Sequence, residues 1–354
     1  MTSQYHIRFY APEDRRAFEE LYRAVYSDAW REHTRLGWYL DSPLAEAGSS
    51  VAVAGDLVVA AQPYCDFPLH TPWGTTRATL FLDVVTHPAH RRQGLFRRVV
   101  TAARTAAFER GAALVLTTPN RTAFQGFQTM PEWVRLCSLD CLLLPLGAGD
   151  RADGGGMLSR GVQGVFALTS LLWKRPRNRM IPSAQSQYTI ESPWSPGPDA
   201  DTLWNAVAAS ANITVTRDHA FLQWRFGADY QLFVARDSHG PIGYAAARVI
   251  PRAGLRLGMI LDCVVTDDGR SAVPLLRSVL VWFREQGAAA AMGYFLRDSA
   301  PWHQSRAVGF LRLPPPVVPR DYPVCASVRP EDPHSRDLLN PASWYMSLAD
   351  SDLV

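Results

Sequence analysis

Apolar residues follow two different spacings along the first 120 positions of the chain. The segment EDRRAFEELYRAVY (13–26) has its apolar residues at helical spacing and predicts an amphipathic helix. The runs VAVAG and LVVAAQPY predict a hairpin of two strands, and RATLFLDVVT predicts a third strand. The stretch from Gly94 onwards predicts a helix that ends at Gly111, and ALVLTT predicts the strand that follows it. This order indicates an α+β fold with a mixed sheet.

Landmarks of the first half of the chain recur in the second half in the same order. The motif H-x-x-L-x-W occurs at 33–38 and again at 219–224. The strand sequence LDVVT at 82–86 recurs as LDCVVT at 261–266. Because the matches keep their order and nearly their spacing, we interpret them as two copies of one fold.

The repeat divides the chain into four segments. We predict a first domain at 1–146, a linker at 147–187, a second domain at 188–320 and a C-terminal tail at 321–354. The linker begins with the flexible sequence GAGDRADGGG and continues with MLSRGVQGVFALTSLLW. A helix lying on a membrane and a packed connecting helix are both open there. Its glycines and Arg160 favour the packed helix.

Composition excludes several classes of protein. The 36 basic and 33 acidic residues give a net charge of +3, which removes the main electrostatic argument for binding nucleic acid or a membrane surface. The chain has no apolar run of about 18 residues for a membrane span. Its N-terminus has no secretory pattern. The 5 cysteines are scattered without a C-x-x-C pair, which argues against a disulfide framework or a zinc site. We therefore expect a cytoplasmic protein without a metal.

The segment TLFLDVVTHPAHRRQGLFRRVV (79–100) joins a predicted strand to a predicted helix through a short loop. The loop carries Arg91-x-x-Gly94 where the helix begins. Backbone N–H groups at a helix start have no partner within the helix, and the helix dipole is positive there, so a pyrophosphate fits this position. Gly94 permits close approach of the phosphate, while Arg91 and Arg92 add positive charge. The tetrapeptide pattern is common in this arginine-rich chain, but only at Arg91 does it lie between a predicted strand and helix.

With its strand before it and LTTPN after it, this junction resembles the acetyl-CoA site of the GNAT acyltransferase superfamily. The loop of that family reads Q/R-x-x-G-x-G/A. The resemblance implies that the backbone from Arg92 to Phe96 holds the CoA pyrophosphate and that 84–86 run beside the pantetheine arm. The specific motif covers 78–133, and the repeat extends the resemblance to two tandem GNAT-like folds. The cofactor-binding residues that it implies are Val84, Val85, Thr86, Arg91, Arg92, Gln93, Gly94, Leu95, Phe96, Asn120 and Phe127.

The chain departs from the family pattern in three places. Phe96 replaces the second small residue of the loop. Phe127 stands where many members have a tyrosine that protonates the leaving thiolate. In the second copy, DDGRSAVPLL follows LDCVVT, so that Asp267 and Asp268 take the place of the basic residues. Carboxylates there repel a pyrophosphate, so we expect one acyl-CoA site, in the first copy.

The chemistry that the resemblance implies is direct attack of an amine on the thioester, with a backbone N–H near Val85 as the oxyanion donor. Such a reaction needs a deprotonated amine and correct placement of the reactants. Asp83 is the candidate catalytic base, because a carboxylate inside an apolar strand requires an explanation. Asp262 repeats this residue in the copy without the loop, so a shared structural role stays open.

Other polar and aromatic residues have alternative interpretations. His87 and His90 flank the loop, either as ordinary loop residues or with one of them contacting CoA. Asp350 and Asp352 reach a cleft if the tail folds back, and are solvated tail charges otherwise. The run 224–226, together with Tyr230, either packs in the core or lines an acceptor cleft.

We therefore predict an acyl-CoA-dependent N-acyltransferase. It moves an acyl group from acetyl-CoA or a related acyl-CoA to the amine of a small molecule, such as an amino sugar or a natural product. Two alternatives stay open: an acyl-CoA-binding regulatory or scaffold protein with a degenerate active site, and an aminoacyl-transferase-like tandem GNAT. The residues do not identify the acceptor, the acyl chain or the oligomeric state.

Overall fold

The computed structural model describes residues 4–27, 47–147, 188–209, 213–252, 254–267, 269–318 and 320–351. The first H-x-x-L-x-W motif at 33–38, the linker segment 157–173, Asp268 and Asp352 lie outside these residues. Within the described ranges, no helix combines the length and the apolar character that a bilayer crossing requires.

The described residues form 15 strands and 8 α-helices. The strands are β1 (His6–Phe9), β2 (Ala47–Ala54), β3 (Leu57–Thr71), β4 (Gly74–Phe81), β5 (Val85–Thr86), β6 (Ala112–Thr117), β7 (Val134–Pro145), β8 (Thr189–Glu191), β9 (Thr214–Val215), β10 (Gln231–Asp237), β11 (Gly240–Arg252), β12 (Leu255–Val265), β13 (Ala290–Leu296), β14 (Leu311–Arg312) and β15 (Tyr322–Val328). The helices are α1 (Arg15–Tyr26), α2 (Leu95–Glu109), α3 (Arg121–Gln128), α4 (Pro198–Ala208), α5 (His219–Arg225), α6 (Ala272–Glu285), α7 (Ala300–Val308) and α8 (Ser335–Leu338).

The chain divides into two compact units. The first consists of Met1–Ser138, Asn212–Thr216 and Asp321–Trp344. The second consists of Leu139–Ala211, Arg217–Arg320 and Tyr345–Val354. These units differ from the predicted segments. Asn212–Thr216 of the predicted second domain belongs to the first unit, and Tyr345–Val354 of the predicted tail belongs to the second. Most of β7 belongs to the second unit, and the first part of the predicted tail, including β15, belongs to the first.

In the first unit the strands follow the order β1-β2-β3-β4-β6-β15. Neighbours are antiparallel except β4 and β6, which are parallel. A parallel pair needs a crossover connection, and α2 supplies it. One face of α2 is fully buried because its apolar residues recur at helical spacing, among them Leu95, Val99 and Ala103. As predicted, the helix ends just before Gly111, whose φ of 92° suits a glycine.

The second unit repeats this plan with the order β7-β13-β12-β11-β10-β8. Here β12 and β13 are the parallel pair, and α6 connects them. The strand that completes each sheet comes from elsewhere in the sequence. Residues 139–145 of β7 pair with β13 in the second unit, whereas β15 pairs with β6 in the first. The α+β class, the mixed sheet and the duplicated fold predicted from the sequence are confirmed.

The predicted strand RATLFLDVVT is interrupted, so the expectation of one continuous strand is wrong. β3 pairs Tyr64 with Phe81 and Ala61 with Val85, so that two residues of β3 face three residues of the other chain segment. This extra residue makes a β-bulge. Within it, Asp83 has φ 34°, which a regular strand does not accommodate. The bulge lies just before the loop that leads into α2.

Candidate functional site

A cavity of about 600 Å³ opens at the start of α2 in the first unit. Its wall is built from the end of α1, the bulge, the loop before α2, and α3. The lining residues are Val25, Tyr26, Val84, Val85, Thr86, Arg91, Arg92, Gly94, Leu95, Phe96, Arg97, Asn120, Thr122, Ala123 and Gly126.

The backbone of the loop before α2 adopts a conformation that can bind an anion. Arg92 has φ 61°, and Gly94, the N-cap residue of α2, has φ 71°. No side chain caps this helix start, and the first backbone bond of the helix runs from the Arg98 N–H to the Gly94 carbonyl. The N–H groups of residues 95–97 therefore have no partner within the helix. Backbone N–H groups in a left-handed turn and at a helix start together form a concave site for an anion such as a pyrophosphate.

Positive side chains surround this helix start. Arg92 and Arg97 are exposed at the cavity and form no ion pair with a described carboxylate. The Arg91 Nε donates to the Thr86 carbonyl over 3.3 Å, which ties the loop to β5. The charge of these arginines adds to the positive end of the helix dipole. The arrangement therefore favours a ligand that carries negative charge.

The opposite wall of the cavity is the first turn and a half of α3. The Asn120 side chain accepts a hydrogen bond from the Ala123 N–H over 3.0 Å and caps this helix. A Cβ on Gly126 would lie 2.7 Å from the ring of Phe96. Glycine on α3 thus makes room for the aromatic ring that replaces the second small residue of the loop.

The structure places most of the predicted site residues around one cavity. Those that line it are Val84, Val85, Thr86, Arg91, Arg92, Gly94, Leu95, Phe96 and Asn120. Gln93 is exposed in the loop beside them but is not a lining residue. Phe127 also is not: it is 1% exposed, with its ring 4.6 Å from Trp133 and 5.2 Å from Phe96. Phe127 is therefore a core residue beneath the cavity wall.

Asp83, the predicted catalytic base, is half-buried in the bulge and is not a lining residue itself. Its backbone carbonyl accepts a hydrogen bond from the Tyr22 hydroxyl over 2.7 Å. Among the described residues, positive φ in a non-glycine residue concentrates here: Ser27 follows a lining residue, Asp83 precedes one, and Arg92 is one. Such backbone strain clusters at functional sites.

The two histidines beside the loop stabilise its turn. The His87 Nδ1 accepts a hydrogen bond from the Ala89 N–H over 3.2 Å. The His90 Nδ1 lies 3.1 Å from the Tyr5 hydroxyl. Neither histidine lines the cavity. These contacts support the interpretation of both as loop residues.

In the second unit, a carboxylate of the chain occupies the corresponding helix start. Asp267 accepts hydrogen bonds from the N–H and the hydroxyl of Ser271, each over 2.8 Å, just before α6. This carboxylate places negative charge at the helix start and occupies the Ser271 N–H, which disfavours an anionic ligand there. This contact supports the assignment of the acyl-CoA site to the first copy.

Asp262, the counterpart of Asp83, is a structural residue of the second unit. It is fully buried and accepts hydrogen bonds from Arg217, Tyr244, Tyr345 and Ser347. Burial alone would raise the pKa of this carboxyl. The charge of Arg217 and the tyrosine hydroxyls outweigh that effect and hold the pKa below its usual value.

The end of the predicted tail folds onto this cluster. Arg217 lies 2.8 Å from the Asp350 carboxylate, whose pKa is raised by burial despite the charge of Arg217. Arg225 is buried and donates to the backbone carbonyls of residues 348, 349 and 351. Asp350 is thus part of a buried ion cluster, and neither a solvated tail charge nor a lining residue of the first unit's cavity. The contacts of Arg225 support a packing role for this residue.

Sequence reasoning missed the contribution of α1 to the cavity. The sequence predicted α1 only as an amphipathic helix, yet Val25 and Tyr26 at its end line the cavity. Arg97 and Thr122 were missed as well. A helix end that meets a distant loop leaves no local signal, so only the topology shows it. The arginine run after Gly94 was the available signal for Arg97.

Comparison with known proteins agrees with this geometry. Residues 6–126 match the family model of the acetyltransferase (GNAT) domain. No curated protein matches the sequence significantly. The fold is similar to that of a GCN5-related N-acetyltransferase from Anabaena variabilis, with a TM-score of 0.59 and 12% identity over 91% of this chain and 73% of that one. The fold is also similar to that of a GCN5-related N-acetyltransferase from Kribbella flavida, with a TM-score of 0.57 and 11% identity over 93% of this chain and 72% of that one.

A third structure shares the duplicated architecture. It is a tandem GNAT protein from the clavulanic acid biosynthesis pathway, with a TM-score of 0.55 and 14% identity over 93% of this chain and 100% of that one. Residues 6–126 thus match the acetyltransferase (GNAT) domain, and the chain has the fold of a tandem GNAT protein.

Proposed function

We propose that the protein is an acyl-CoA-dependent N-acyltransferase whose active site is the cavity of the first unit. The observation that carries the proposal is the uncapped start of α2 at the cavity wall, with Arg92 and Arg97 beside it. A CoA thioester combines a pyrophosphate with an apolar arm, and this wall offers both a polar anion site and the apolar side chains of Val84 and Val85. The match of this region to the GNAT domain supports the same interpretation.

In this proposal the N–H groups of residues 95–97 bind the pyrophosphate, and the segment 84–86 contacts the pantetheine arm. The thioester then lies near the bulge, where an amine attacks its carbonyl carbon. The C–N bond forms, the C–S bond breaks, and CoA leaves as a thiolate that takes up a proton. Asp83 stays the predicted base for the amine, since it directly precedes the lining residue Val84.

Because Phe127 cannot donate a proton, water or another group supplies the proton for the thiolate. A thiolate is a good leaving group, so the reaction does not depend on a strong acid. The acceptor is proposed to be a small-molecule amine such as an amino sugar. A cytoplasmic location stays a prediction.

A turnover assay with CoA detection tests the proposal. The protein is incubated with acetyl-CoA and a panel of amino sugars, polyamines and amino acids, and free CoA is quantified by chromatography because the 5 cysteines of the chain interfere with thiol reagents. We expect CoA release that depends on one class of amine. Tight binding of acetyl-CoA without amine-dependent release would instead support the regulatory alternative. Absence of acetyl-CoA binding would refute the assignment of the cavity.

A further inference from the structure

The bulge between β4 and β5 holds three consecutive residues, 82–84, away from regular pairing. The Leu82 N–H donates to the Pro63 carbonyl over 3.0 Å, and the Leu82 carbonyl accepts from the Gln62 side chain over 3.0 Å. The contacts of Leu82 therefore run to β3. The next carbonyl, that of Asp83, instead contacts α1.

The contact to α1 is the hydrogen bond from the Tyr22 hydroxyl to the Asp83 carbonyl, 2.7 Å long. Tyr22 is fully buried, so this hydroxyl is held in place by the packing around it. Asp83 has φ 34°, a conformation that an L-residue keeps only when its surroundings hold it there. Tyr22 thus fixes the orientation of the peptide plane between Asp83 and Val84.

A trans peptide is planar, and its carbonyl and N–H point in opposite directions. When Tyr22 holds the Asp83 carbonyl toward α1, the Val84 N–H points away from that hydroxyl. Val84 and Val85 line the cavity. The family resemblance already implies a backbone N–H near Val85 as the donor to the thioester oxygen. We propose that Tyr22 is a positioning residue for such a donor, the Val84 N–H, because it holds the peptide that carries this N–H. This inference rests on the proposed function, because it needs an acyl-CoA bound in the cavity.

The mechanism behind this proposal is electrostatic. When the amine attacks, the electron pair of the carbonyl moves to its oxygen, and a preoriented N–H stabilises the developing negative charge. The return of that pair expels the CoA thiolate. Tyr22 is not a lining residue of the cavity, so in this proposal it acts only through the peptide that it orients.

The test compares Tyr22→Phe with Tyr64→Phe. Both variants remove one hydroxyl from a buried ring of the first unit. The Tyr64 hydroxyl accepts a hydrogen bond from Arg110 and does not line the cavity, so this variant controls for the loss of a buried hydroxyl. We expect Tyr22→Phe to lower kcat roughly 10- to 100-fold, less than the loss of a whole oxyanion donor, with little change in the Kd of acetyl-CoA. Tyr64→Phe should keep the wild-type kcat.

A spectroscopic measurement separates positioning from general destabilisation. Acetyl-CoA labelled with ¹³C at the thioester carbonyl is bound to each protein, and its carbonyl stretch is recorded by infrared difference spectroscopy. The stretch should move to higher frequency in Tyr22→Phe, because the hydrogen bond weakens, and match the wild type in Tyr64→Phe. An unchanged stretch and kcat in Tyr22→Phe, or an equal fall of kcat in both variants, would overturn the inference. A wild-type protein that binds no acetyl-CoA would refute the proposed function itself.

Discussion

Gly94 offers the sharpest perturbation of the candidate site. It has φ 71° at the N-cap of α2, and a Cβ added there would meet nothing within 4 Å. Any L-residue at this position is strained by roughly 1–2 kcal/mol because of its left-handed backbone, but it causes no clash. Gly94→Gln and Gly94→Glu therefore share the same strain and nearly the same size, and differ in charge.

The expected difference follows from Coulomb's law. A carboxylate about 4 Å from one charge of a pyrophosphate, at an effective dielectric constant of about 20, costs about 4 kcal/mol. This energy corresponds to a loss of roughly 10³-fold in affinity. We expect Gly94→Glu to weaken acetyl-CoA binding by about that factor relative to Gly94→Gln.

Isothermal titration calorimetry with acetyl-CoA measures this difference, and thermal unfolding of the two variants checks that their stabilities agree. Equal weakening in both variants would refute the electrostatic argument and leave only backbone strain. Wild-type affinity in Gly94→Glu would show that acetyl-CoA binds elsewhere.

Three further predictions concern stability and the leaving-group proton. Arg217→Leu leaves the buried Asp262 without its cation and should lower the free energy of unfolding by about 3–5 kcal/mol in urea titrations; a loss below about 1 kcal/mol would contradict a buried ion cluster. The hydrogen bond from His219 to Asp201 raises the histidine pKa above 6.5, so its small stabilisation is complete below pH 6.5 and is lost as the pH rises through the raised value. The melting temperature of His219→Gln should thus fall below that of the wild type at pH 6 but not at pH 9, and equal differences at both pH values would argue against this. Phe127→Tyr buries a hydroxyl in the core and should cost about 1–3 kcal/mol without raising kcat, whereas a higher kcat would show that the position does supply a proton.

Local patterns in the sequence were sufficient for several of the elements around the site. Helical spacing predicted α1 and α2, Gly111 predicted the end of α2, and the position of Arg91 and Gly94 between a strand and a helix predicted the loop. These features depend on residues close in sequence. The sequence repeat predicted the second copy of the fold. It also showed that aspartates replace the basic residues of the loop in that copy.

Structural features that depend on residues far away in the sequence could not be predicted from local patterns. The bulge at Asp83 arises because three residues of one segment face only two residues of β3. The alternation of apolar and polar residues along a single strand gives no information about the number of residues in its partner. The strands β7 and β15 pair with β13 and β6, which lie far from them in the sequence, and local patterns do not identify such partners. Arginines are mostly exposed in proteins, and the burial of Arg217 and Arg225 depends on a tail more than 120 residues away.

A crystal structure of the protein with CoA tests the central claim most directly. We expect the pyrophosphate to lie in the cavity of the first unit, with its oxygens within hydrogen-bond distance of the N–H groups of residues 95–97. CoA bound at the start of α6 beside Asp267, or away from both helix starts, would contradict it.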